Sequence, residues 1–142
     1  MVTTFDIYDR TTPTNIVDSM PPNHYFVFGS NEGGRHGKGA AKTAMRFGAK
    51  YGQSFGEQGA TFAIPTVNAS ISNKLKVEKI KKYVDKFIQH AKENPTKIYY
   101  VTPIGCGLAG HQPKDIAPLF KECIDLKNVC LPSVFWRNLI KF

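Results

Sequence analysis

The stretch 25–44, YFVFGSNEGGRHGKGAAKTA, constrains the fold more than any other part of this chain. Its first residues, 25–30, are a short continuous apolar and aromatic run that reads as a buried strand. The strand runs straight into a loop holding Gly29, Gly33, Gly34, Gly37 and Gly39. Small residues at helical spacing follow, predicting a helix over 39–49. Glycine permits the sharp turns that such a connection needs, and it leaves backbone N–H groups open to a ligand. A strand leading through a tight loop into a helix is the first half of a βαβ unit, which predicts a parallel sheet.

The remainder of the chain continues this alternation. Residues 61–65 (TFAIP) predict a second strand stopped by its proline, 97–103 (KIYYVTP) a third and 128–131 a fourth. Val77, Ile80, Val84, Phe87, Ile88 and Ala91 recur at helical spacing, which predicts a helix over 77–93 with lysines on its other face. Residues 53–59 read as a Gly-rich connection and 66–76 as a loop. Pro118 would damage a helix begun at Pro113, so the next helix is expected from Ile116 to about Ile124 with Asp115 as its N-cap. Residues 133–142 read as a short helix packed back on the sheet. Near the N-terminus Phe5 and Ile7 alternate with Asp6, as in a short edge strand. The expected molecule is a single α/β domain over 1–142, with a mainly parallel sheet covered on both faces. Ligands of such sheets lie outside the carboxyl ends of the strands. Loops 29–39, 66–76 and 104–113 would therefore share one rim.

Charge narrows the partner. Nineteen Lys and Arg against eleven Asp and Glu give a net charge of +8, which steers anions toward the protein. Nucleotide phosphates and nucleic acid both fit. The lysines concentrate in 74–92, and a solvated helix face is favoured there over a nucleic-acid patch. Cys106, Cys123 and Cys130 are odd in number and form no CxxC, so neither a disulfide framework nor a zinc site is indicated. No His, Cys, Asp or Glu grouping has metal spacing, and neither a metal nor a cofactor is expected. No apolar run approaches the roughly 20 residues that span a bilayer. The N-terminus carries no signal-peptide pattern, so a cytoplasmic protein without a membrane partner is expected.

The first Gly-rich loop fails the GxxxxGK[ST] pattern and runs GxxGxG, the reverse of the dinucleotide fingerprint. Five glycines in eleven residues still exceed what a turn needs, and the following helix favours an anion at its N-terminus. A second Gly-rich loop, TPIGCGLAGHQP, follows the third strand. Two such loops on one rim make a clamp of the size of a diphosphate. The candidate ligand residues are Gly29, Ser30, Asn31, Gly33, Gly34, Arg35, Gly37, Lys38, Gly39 and Ala40 in the first loop. Thr66 follows the second strand, and Ile104, Gly105, Cys106, Gly107, Leu108, Ala109 and Gly110 form the second loop. Asn31 and His36 are the candidate catalytic residues. The amide of Asn31 suits a sugar hydroxyl or a water, and equally its own turn. His36 suits proton transfer or phosphate binding, and equally loop packing. Arg35 and Lys38 either neutralise phosphate or face solvent. Cys106 as a nucleophile would need a base, and His111 lies five residues on; a small residue present for fit is the better reading.

FVFGSNEGGRHGKGAAKTA and YVTPIGCGLAGHQPKDIAPLF resemble the two signatures of small macrodomain-like proteins of phage and bacterial genomes. The resemblance spans about 25–131. It implies a three-layer α/β/α fold with ADP-ribose, or a related nucleotide, lying between the loops. It implies that 28–41 surrounds the distal ribose, with Asn31 as the loop asparagine, and that 104–110 wraps the diphosphate. The chain departs from macrodomains in having Ser30-Asn31-Glu32 in place of paired asparagines, and Arg35 and His36 within the glycine run. Hydrolysis of ADP-ribosyl adducts, resting on positioning and electrostatics, is one implied activity. The alternatives are a non-catalytic binder that sequesters an NAD-derived or other nucleotide signal in phage–host conflict, and a nucleic-acid-binding module.

Overall fold

A computed structural model describes residues 4–16, 19–107 and 109–140. Among them, five strands form one sheet: β1 (His24–Asn31), β2 (Gly56–Gln58), β3 (Thr61–Val67), β4 (Ile98–Val101) and β5 (Val129–Cys130), in the order β2-β3-β1-β4-β5. β1 pairs in parallel with both β3 and β4, and β4 in parallel with β5, while β2 is antiparallel to β3. The fold is therefore α/β with a mixed, mainly parallel sheet. Its helices are α1 (Thr4–Asp9), α2 (Gly39–Met45), α3 (Val77–Glu93), α4 (Pro113–Ile116), a 3-10 helix over Ala117–Asp125, and α5 (Ser133–Leu139). Among the described residues no helix is long and apolar enough to cross a membrane.

The strand period of two divides the core. Val27, Phe62, Ile64, Tyr99 and Val101 pack with the apolar stripe of α3 (Ile80, Val84, Phe87, Ile88 and Ala91) and with Phe120, Phe135 and Trp136. Phe26, Phe28 and Ala63, which alternate with them, meet Ala41, Ala44 and Phe47 instead. The alanines of α2 let that short helix lie close on the sheet, directly after the first Gly-rich loop.

Several elements differ from the sequence expectation. The edge strand expected around Phe5 and Ile7 is helix α1, and Ile7 is buried in the larger cluster. Three residues are too few to fix a period. The helix expected over 39–49 ends at Met45 and passes through a turn to Gly48, whose φ is +104°. The Gly-rich connection 53–59 contains β2, a strand made by pairing with β3 rather than by its own composition. β3 continues past Pro65 to Val67. Proline has no N–H for the ladder; the register shifts between Ser30 and Asn31, and the Thr66 hydroxyl donates to the Ser30 carbonyl at 3.3 Å. The helix expected from Ile116 starts at Pro113, with Gln112 rather than Asp115 at the N-cap. From Ala117 it is a 3-10 helix, the tighter form that tolerates the N–H missing at Pro118.

One side chain ties the two ends of the chain together. The Arg10 guanidinium donates to the carbonyls of Ile124 (2.8 Å), Leu126 (2.7 Å) and Val129 (3.0 Å) and to that of Cys123. The Arg10 carbonyl in turn accepts from Trp136 Nε1 at 3.0 Å. Next to it, Thr11 bridges Leu131 in parallel, which brings the segment after α1 alongside the end of β5.

Candidate functional site

The carboxyl ends of β1 and β3 and the loop leaving β4 meet at Gly29. A Cβ on this residue would stand 3.3 Å from Thr66 Oγ1 and 3.5 Å from the Gly105 nitrogen. The absence of a side chain therefore allows the three segments to close together. They line a cleft of about 680 Å³. Of the residues expected to bind ligand, Gly29, Ser30, Asn31, Arg35, Gly37, Lys38, Gly39, Ala40, Thr66, Ile104, Gly105, Gly107 and Ala109 line it. Gly33, Gly34, His36, Cys106 and Gly110 stand back from the lining, and Leu108 lies outside the described residues.

Asn31 holds the first loop in shape. Its Oδ1 accepts from the Gly33 N–H (3.2 Å) and the Arg35 N–H (2.9 Å), and its Nδ2 donates to the Arg35 carbonyl (2.9 Å). Both lone pairs of the amide oxygen are used, and one Nδ2 hydrogen remains. In contrast, the N–H groups of Gly37, Gly39, Ala40, Gly105 and Gly107 donate to no group among the described residues. Arg35 and Lys38 form no ion pair among the described residues, and no Asp or Glu lines the cleft. Open N–H groups with two cations and no acid make a field that favours an anion.

The one carboxylate in the first loop turns away. Glu32 accepts from Lys79 Nζ at 2.8 Å and from Tyr83 Oη at 2.9 Å, both on α3. The hydrogen bond from Lys79, and next that from Tyr83, hold its pKa below the ordinary value of 4.5. A depressed folded pKa means that this tether stabilises the protein above about pH 4.5 and is lost as pH falls through the folded value. Replacing Glu32 with Gln is expected to remove that part of the acid sensitivity, read as a flatter denaturation midpoint between pH 6 and pH 3.

His36 is buried beneath the loop. Its Nε2 lies 3.1 Å from the Gln53 carbonyl, so Nε2 carries the hydrogen, and Nδ1 has no hydrogen-bond partner among the described residues. Its ring meets Phe28 edge-on at 5.1 Å and Tyr51 at 6.5 Å. Cys106 packs against the main core, and burial, with the Asp115 charge adding, pushes its thiol up. His111 bonds the Leu75 carbonyl through Nε2 at 2.8 Å, anchoring the second loop to the segment after β3. Of the lysines in 74–92, Lys79, Lys81 and Lys92 are paired with Glu32, Asp85 and Glu122, so the row is partly neutralised.

A second cleft of about 840 Å³ continues from the first, sharing Gly39, Ala40, Thr102 and Pro103 with it. Ile16, Phe26, Met45, Pro132 and Val134 give it apolar walls, Lys42 and Arg46 lie in its lining, and among the described residues no acid lines it. Thr12 also lines it and is buried, and its hydroxyl has no hydrogen-bond partner among the described residues. Sequence reasoning missed this cleft because Thr12 and Pro132 are brought together only by the Thr11–Leu131 bridge. It missed Tyr51 and Ile71 as well, two exposed residues that line the first cleft. No protein-family model, curated protein or solved structure matches this chain.

Proposed function

We propose that this chain is a macrodomain-like α/β/α protein that binds ADP-ribose, or a related nucleoside diphosphate, along the two joined clefts and does not turn it over. The observation that carries this reading is the lining itself: Arg35, Lys38 and Lys42, no carboxylate among the described residues, and open N–H groups on both Gly-rich loops. The diphosphate lies where the clefts join, against Gly39, Ala40 and the second loop. The base occupies the apolar second cleft, where the Thr12 hydroxyl meets its edge. The distal ribose occupies the first, within reach of the remaining Nδ2 hydrogen of Asn31. Binding without hydrolysis is favoured because the Asn31 oxygen is already spent on its loop, His36 is buried under it, and the Cys106 thiol faces the core.

Calorimetry with ADP-ribose, AMP and ribose 5-phosphate tests the reading. ADP-ribose is expected to bind most tightly, because it alone spans both clefts, and the affinity is expected to fall with salt. An ADP-ribosylated protein incubated with this chain is expected to release no ADP-ribose. Failure of ADP-ribose to bind overturns the ligand assignment, and release of ADP-ribose overturns the non-catalytic assignment. Thr12→Val keeps the shape and removes the orphaned hydroxyl. It is expected to leave the free protein as stable or slightly more so, while weakening ADP-ribose by roughly five- to tenfold.

A further inference from the structure

Two adjacent glycines of the first loop are dictated by what packs against them. A Cβ on Gly33 would stand 2.9 Å from the Ala69 carbonyl oxygen. On Gly34, whose φ is +68°, it would stand 2.4 Å from the Gly52 carbonyl carbon. The Gly52 N–H also donates to the Gly34 carbonyl at 2.8 Å. The loop that cradles the ligand is thus fastened on one side to the segment carrying Ile71 and on the other to the segment carrying Tyr51.

Both of those side chains line the first cleft, and both are largely exposed, Tyr51 at 66% and Ile71 at 50%. The Tyr51 ring meets His36 edge-on at 6.5 Å, and His36 is itself fixed by Phe28 and the Gln53 carbonyl. Ile71 has φ +58°, a conformation that a β-branched residue takes only under constraint. The constraint is visible: Asn68 Oδ1 accepts from the Ser72 and Asn73 N–H groups, and the Ile71 N–H donates to the Asn68 carbonyl. Backbone strain and close glycine packing are being used to hold an aromatic face and an aliphatic side chain at the edge of a cationic cleft.

A bare ribose, whose surface is mostly hydroxyl, gains little from such walls. A planar ring gains stacking. Because Arg35 and Lys38 share the cleft and no acid among the described residues does, a positively charged ring would be repelled. We infer that the first cleft takes an uncharged heteroaromatic ring carried on the second ribose, so that a dinucleoside diphosphate is the preferred ligand over ADP-ribose. This rests on the nucleotide reading above and extends it to the far end of the ligand.

Diadenosine diphosphate and ADP-ribose are the probes, since they match through the diphosphate and differ by the ring on the second ribose. Calorimetry of the wild type is expected to show diadenosine diphosphate binding about tenfold tighter. Tyr51→Ala is expected to erase that margin, bringing the two ligands together, and Tyr51→Trp to keep it. Ile71→Gly, which accepts the positive φ without strain, is expected to narrow the margin in a protein at least as stable as the wild type. Equal affinities in the wild type, or a margin that survives Tyr51→Ala, overturn this inference while ADP-ribose binding leaves the nucleotide reading standing. If neither ligand binds, the nucleotide reading falls and this inference with it.

Discussion

Arg10→Ala is expected to lower the stability of this domain by about 3 kcal/mol, the effect of losing its charged hydrogen bonds to four carbonyls. The acceptors are the carbonyls of Cys123, Ile124, Leu126 and Val129, which leave the end of the 3-10 helix and the start of β5. The Cys123 and Leu126 carbonyls also accept from the Leu126 and Val129 N–H groups, at 3.0 and 3.1 Å, and one planar guanidinium adds a charged donor to all four. The Arg10 side chain also lies 5.3 Å from the Trp136 ring centre, and Trp136 is almost fully buried. For a domain of this size, the loss amounts to roughly 10 °C in melting temperature. Arg10→Lys is expected to recover only a small part, because one ammonium cannot present a fork of donors to four separated oxygens. Scanning calorimetry of the two variants checks both statements, and a shift of less than about 3 °C in Arg10→Ala would show that water satisfies these carbonyls unaided.

That corner also shows where sequence reading stops. α3 is observed over the residues its apolar period defines, Val77–Glu93, because seventeen residues of amphipathic pattern carry their own evidence. β1 and β3 were legible as continuous apolar runs. β2 was not, since Gly56–Gln58 is a strand only through its pairing with Thr61–Ala63. The short helix α1 was misread because Phe5, Asp6 and Ile7 fit either period. At the site, the glycine clusters located both loops, yet a cluster does not say which way each side chain turns. Arg35 and Gly37 line the cleft while His36 between them lies beneath it, and Cys106 faces the core while Gly105 and Gly107 face the opening. Thr12, Tyr51 and Ile71 carried no local signal at all. Each reaches its cleft through a tertiary contact: the Thr11–Leu131 bridge, the Gly34–Gly52 packing and the Gly33–Ala69 packing.

Gly107→Glu is expected to reduce ADP-ribose affinity at least about a hundredfold without changing the melting temperature. The backbone here is not in the left-handed region, and a Cβ would meet nothing within 4 Å, so a side chain enters open space rather than the core. Replacing glycine also removes freedom from the unfolded chain, which offsets any small loss in the folded one. Gly107 lines the first cleft, so the open space is the place assigned to the diphosphate. Two like charges about 4 Å apart at an effective dielectric of about 20 repel by roughly 4 kcal/mol, more than the roughly 2.7 kcal/mol that a hundredfold requires. Gly107→Ala adds the same backbone restraint without the charge and is expected to bind within a few-fold of the wild type. Gly107→Lys reverses the sign and is expected to bind at least as tightly as alanine. An order of affinity running lysine, alanine, glutamate, with three coincident melting curves, assigns the effect to charge at the second loop. If glutamate binds as well as alanine does, the diphosphate does not lie there, and the clamp formed by the two Gly-rich loops has been placed around the wrong part of the ligand.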